Sequence, residues 1–225
     1  MAYALIGLVL LALLSQLPGW WASWTLRRHN TPANLPGGGA EFAAWLIRQK
    51  NLPVSLERGE SDHYDPTTRT VRLSPAFYST PSLAAVAVAA HEVAHAQQHA
   101  EQHPGFMQRI QLIQRAQWLQ KLSAGALLAA PLLIPLTHGF VAPMLAFTAG
   151  FIAQGVPLLI HLQTLQVEWD ASFNRALPWL QESGHFTPAQ LRIMRQVLRA
   201  CALTYVAQSV GSLFNVLRWL QQGRR

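Results

Sequence analysis

The chain has 225 residues, a net charge of +7 and one cysteine; 51% of it is hydrophobic and only 12% charged. That balance excludes an internally disulfide-stapled domain and a cysteine-based zinc cluster, and it is low in charge for a soluble domain. The arginines are spread along the chain without a basic helix or an aromatic-basic repeat, so the positive charge points to anionic lipid headgroups and not to nucleic acid.

In chain order, Ala2 to about Trp24 is Leu-rich and uncharged and ends in Trp20, Trp21 and Trp24 before Arg27 and Arg28. It predicts a membrane anchor over 1–26 in preference to a cleaved signal, because no basic residue precedes the run and no small-x-small site precedes the aromatics. Pro and Gly mark 27–39 as a linker, and Ala40 to Lys50 reads as an amphipathic helix offering Phe42, Trp45, Leu46 and Ile47 to a core. Val54-Ser55-Leu56 and Thr70-Val71-Arg72-Leu73 alternate apolar and polar residues around the turn chemistry of Tyr64 to Thr68, which predicts a small hairpin or short sheet. The stretch Val71 to Leu73 is a candidate edge for an extended substrate.

His91-Glu92-Val93-Ala94-His95 follows an apolar run from Leu83 to Ala90, with Thr80 and Pro81 as the expected cap and first turn. At 3.6 residues per turn, His91 and His95 share a helix face and can reach one metal, while Glu92, about 100° around the axis, stays near a water on that metal. A buried helix carrying two imidazoles and a carboxylate incurs a desolvation cost for each, which a shared cation offsets. His99 and His103 continue the spacing, but a helix rises about 12 Å over eight residues while zinc–nitrogen bonds are about 2 Å, so His91, His95 and His99 do not share one ion. A third donor must come from elsewhere. Of the acidic residues that follow, Glu168 stands at the start of a predicted helix and is the expected ligand, with Asp170 or Ser172 as its neighbour; Asp170 and Glu101 are the alternatives.

Leu122 to Leu136 and Phe140 to Ile160 are apolar and uncharged, which predicts a membrane hairpin over 122–163. Residues 164–199 then hold the Glu168 helix and a further helix capped by Thr187-Pro188, and 200–225 an apolar helix with a basic tail, able to span or to pack. Basic residues flank the His-Glu helix and are missing from the hairpin turn, so the metal site is expected on the cytoplasmic side of a multi-pass protein.

Beyond the metal motif, the chain resembles the bacterial neutral zinc metallopeptidases of the YugP-like family. The resemblance rests on Asp62-His63-Tyr64-Asp65-Pro66, Val71-Arg72-Leu73-Ser74, Ala89 to Ala96, Val167-Glu168-Trp169-Asp170-Ala171-Ser172, Val197 to Ala200 and Leu203 to Val206, in order along most of the chain. Ala94, Trp169 and Gln166 depart from the family's commoner Gly, Phe and Pro without removing a proposed ligand. The resemblance implies a gluzincin-like peptidase of the inner membrane with one Zn2+ per chain, held by two His and one Glu. Related membrane-embedded enzymes often carry Asp four residues after the ligand Glu, where this chain has Ser172.

The expected fold is therefore mainly α and integral to the membrane: a helical zincin-like part over 40–121 with a small hairpin or short sheet, plus about three to four membrane helices. The expected activity is peptide-bond hydrolysis with Glu92 as general base and His63, Tyr64, Arg199 or Tyr205 as oxyanion donor, acting on peptide or membrane-protein substrates. The rival reading is a membrane adaptor whose zinc site is structural or inactive.

Overall fold

The computed structural model describes residues 16–133, 141, 144, 145, 148, 149 and 164–203. Helix α1 covers 16–28, and α2 (Gly39–Gln49), strands β1 (Ser55–Arg58), β2 (His63–Asp65) and β3 (Thr70–Leu73), and helices α3 (Pro75–Tyr78), α4 (Leu83–Ala100) and α5 (Pro104–Leu133) follow. Helix α6 covers 164–182 and contains a π-helical stretch, Asp170–Ala176; α7 covers 188–203. The chain divides into two compact units, one of Met1–Leu17, Gln108–Gln163 and Val206–Arg225, the other of Pro18–Met107 and Thr164–Tyr205. The described part of the first unit is mostly α5; all the site residues named below lie in the second.

Helix α4 is the axis of that second unit. Every residue from Leu83 to Ala96 is buried, and so is Gln98. A helix apolar on all sides can be stable only when protein surrounds it, and α2, α3, β2, β3 and α6 supply that cover. Its alanines shorten the approach of neighbouring backbones. At Gly39 the approach is closest: a Cβ there would collide with the carbonyls of Phe77 and Ala85, so α2 can start only with glycine at this point. Leu46, Leu73, Leu180, Met194 and Leu198 are among the largest fully buried side chains, each worth roughly 1.5–3 kcal/mol on burial. The cap of α4 is Ser82, two residues after the expected Thr80; its Oγ accepts from the Ala85 amide at 3.0 Å and donates to Asn30 Oδ1 at 2.6 Å.

The sheet has the order β1-β3-β2, with β1 parallel and β2 antiparallel to β3. Two expectations change. His63 and Tyr64 belong to a strand and not to the turn, and Val71 to Leu73, expected to offer an edge, is hydrogen-bonded on both sides as the central strand. The edge beside α4 belongs to β2. The hairpin turn is held by Asp65, which accepts from the Thr67 amide and the Thr68 hydroxyl at 2.9 Å each and from Arg72 Nη1 at 2.9 Å.

The integral-membrane architecture is overturned. Among the described residues no helix is long and apolar enough to cross a membrane, so the three to four spans, and the multi-pass inner-membrane location inferred from them, are not supported. The physical reason differs by segment. The described part of the N-terminal segment, α1, buries Ala22 and Thr25 and exposes Trp20 and Trp24, so it is two-faced; α5 carries Arg109, Arg115 and Lys121; α7 spends Val197, Leu198, Ala200 and Ala202 on the protein core. Residues 1–15, most of the expected hairpin at 122–163 and the tail beyond 203 lie outside the described residues.

Candidate metal centre

Helices α4 and α6 bring three side chains to one point. The helical period sets His91 and His95 on one face of α4 with ring centroids 4.6 Å apart, and α6 projects the fully buried Glu168 against them. Glu168 Oε2 lies 3.1 Å from His91 Nε2 and 3.2 Å from His95 Nε2, and the two Nε2 atoms are 3.2 Å apart. Among the described residues these three form a group able to hold a metal ion.

The opposite ring nitrogens tell what this triangle needs. Ser172 Oγ, 3.2 Å from the Leu198 carbonyl, donates its proton there and so accepts from His91 Nδ1–H at 3.1 Å. His95 Nδ1 faces Gln98 Oε1 at 2.9 Å and donates to it. With both Nδ1 atoms donating, both Nε2 atoms turn lone pairs toward the Glu168 carboxylate in a buried site. A cation between three such donors is attracted to all of them and removes their mutual repulsion. The spacing fits one: bonds of about 2.0–2.1 Å in tetrahedral array set donors about 3.3 Å apart. Two imidazoles and a carboxylate are a zinc-type donor set.

Glu92 is buried on α4 beside His91. The other predicted residues fall as follows. Ser172 touches His91, four residues after Glu168, whereas Asp170 turns away from the triangle and accepts from Gln98 Nε2 at 2.8 Å and Arg175 Nε at 2.7 Å. Burial opposes ionisation of Asp170, but the hydrogen bonds from Arg175, Gln98 and Asn174 outweigh it and bring the carboxyl down to about 2. The Tyr64 hydroxyl lies 2.9 Å from His99 Nδ1, and burial pushes that phenol up to about 12. His63 Nδ1 is 3.1 Å from the Ser61 carbonyl, just before β2, and Arg199 is on the exposed side of α7. Tyr205 lies outside the described residues. Cys201 is near enough for Glu92, Glu168 and Asp62 to act on it; desolvation first, and then those negative charges, hold its thiol well above the usual range, which suits packing and not reactivity.

Gln98 and Phe106 were not singled out in the sequence. Gln98 is completely buried three residues after His95, and Phe106 packs on the rings of both His95 and His99. A glutamine among histidines at a helix end reads as one more side chain turned to solvent; only its burial distinguishes it.

Residues 4–223 match the family described as "Putative neutral zinc metallopeptidase". The chain belongs to this family. The chain is also similar to the "Putative membrane protease YugP" of Bacillus subtilis (strain 168), 36% identical over 165 residues that cover 71% of this chain and 67% of that protein. No solved structure matches the chain. For a neutral zinc metallopeptidase the donor set at His91, His95 and Glu168 fits the metal in the family's description.

Proposed function

We propose that this chain is a zinc-dependent peptidase in which His91, His95 and Glu168 hold one Zn2+ and Glu92 serves as general base. The observation that carries the reading is the fully buried Glu168 carboxylate, set within 3.2 Å of both imidazole Nε2 atoms by a helix 73 residues further along the chain. Zinc held there supplies Lewis acidity, acidifying a water and polarising the scissile carbonyl.

The chain's own residues do the rest. Ser172 and Gln98 hold the two rings with their Nε2 lone pairs facing the cation. Glu92, one residue from His91 and about 100° around α4, takes the proton of the attacking water and returns it to the departing amine. A peptide pairing backbone to backbone meets β2, the edge strand beside α4. Three protein donors favour this reading over an adaptor with a structural ion, since structural zinc is closed by four protein ligands and needs no base.

The test is Glu92→Gln in the full chain, with metal content and cleavage of an unstructured polypeptide measured together. The variant keeps about one zinc per chain and loses cleavage by about 100-fold or more. Cleavage at the wild-type rate removes Glu92 from the role.

A further inference from the structure

Gln98 makes three hydrogen bonds although it is fully buried: Oε1 with His95 Nδ1 at 2.9 Å, and Nε2 to the Val167 carbonyl at 2.9 Å and to Asp170 Oδ2 at 2.8 Å. An amide fits such a slot in two orientations. In one, oxygen faces His95 and NH2 faces α6; in the other they exchange. The partners on α6 decide between them, because a carbonyl and a carboxylate accept only. An inverted amide would press its oxygen on two acceptors and offer N–H to His95 Nδ1, favouring the tautomer that carries its proton on Nε2, toward Glu168.

The acceptor that biases the amide is itself held. Arg175 Nε donates to Asp170 Oδ2 at 2.7 Å, and Arg175 Nη1 reaches Glu101 Oε2, just past the end of α4, at 2.7 Å. The π-helical stretch makes this possible, since its i→i+5 spacing stacks Arg175 over Asp170. Val167, whose carbonyl takes the second N–H, immediately precedes Glu168. The same bonds that orient Gln98 therefore also tie the Glu168 helix to the His95 helix.

We infer that Gln98, oriented by Asp170 and Arg175, is a positioning residue that fixes His95 as the Nδ1–H tautomer and presents its Nε2 lone pair to the metal. Asp170 acts on the metal site through this amide, at one remove, and not as a ligand. The inference rests on the proposed zinc site.

The experiment uses the full chain loaded with Co2+ or Zn2+, with the variants Gln98→Met, which keeps the volume, and Gln98→Glu, which keeps an acceptor for His95. In the Co2+ form of the wild type, proton NMR shows two shifted, slowly exchanging ring N–H signals, one each from His91 and His95. Gln98→Met loses the protection of one signal and weakens Zn2+ binding about 10–100-fold in chelator competition. Gln98→Glu keeps both signals and binds Zn2+ more tightly than Gln98→Met, but unfolds more readily because its carboxylate faces Asp170; adding Asp170→Asn restores the stability. Folded Gln98→Met with both signals and wild-type affinity overturns the positioning role and leaves the zinc site standing. If Gln98→Met does not fold, Gln98→Glu decides: loss of the His95 signal there overturns the role. A wild type that binds neither ion overturns both readings together.

Discussion

Glu168→Gln separates what the carboxylate contributes to the metal from what it costs the fold. Glu168 is fully buried and faces both imidazole Nε2 atoms, so a cation held at that point meets its charge directly. Structural zinc sites gather about 10–16 kcal/mol from four ligands, hence about 3 kcal/mol per ligand, and replacing the one anionic donor by an amide weakens binding by about two orders of magnitude. At free zinc of about 1,000 times the wild-type Kd, wild type gains about 4.1 kcal/mol of stability; a site 100-fold weaker gains about 1.4 kcal/mol at the same concentration. The difference of about 2.7 kcal/mol corresponds to about 5–11 °C in Tm for a chain of this size. Without zinc that advantage of the wild type disappears. Thermal unfolding of both proteins, with buffered zinc and with a chelator, reads the difference directly. Equal zinc-induced shifts in the two proteins would refute the convergence of Glu168 with His91 and His95 on one ion.

Ser172→Ala leaves the Nδ1–H of His91 without its acceptor inside the core, which costs about 1–3 kcal/mol in denaturant unfolding and lowers zinc affinity about tenfold; unchanged affinity would show that the His91 ring is held by packing alone. Burial opposes ionisation of Asp65, but the hydrogen bonds from Arg72, Thr68 and Thr67 together outweigh it, so its carboxyl is held well below the ordinary range. A depressed folded pKa means that its contribution is present above the unfolded value of about 3.9 and is lost as pH falls from there toward the folded one. Asp65→Asn is therefore less stable than wild type at neutral pH, by about 1 kcal/mol or less for so exposed a group, and the gap closes below about pH 4. A gap that stays constant from pH 7 to pH 3 would show that the turn does not depend on the charge.

The parts of the site legible in the sequence are those governed by a short period. His91 and His95 share a face because of the helix repeat, and Glu168 stood out because the chain after α4 has few carboxylates and this one begins a helix. What the sequence hid depends on long-range pairing. β1 and β3 are parallel neighbours separated by β2 along the chain, and no local pattern in either strand distinguishes the centre of a sheet from its edge. Gln98 is equally opaque: its amide N–H donors are satisfied by Val167 and Asp170, about 70 residues away, and without them it is one more polar residue at a helix end. The membrane reading failed for a related reason. Apolar content says how much surface must leave water but not where it goes; Val197, Leu198, Ala200 and Ala202, where the expected apolar tail helix begins, are buried in protein. The packing of α4 also sets up the chemistry, because its two buried histidines and buried glutamate find partners within the protein. The partner it finds for both imidazoles is the Glu168 carboxylate, and the three donors together suit one shared cation.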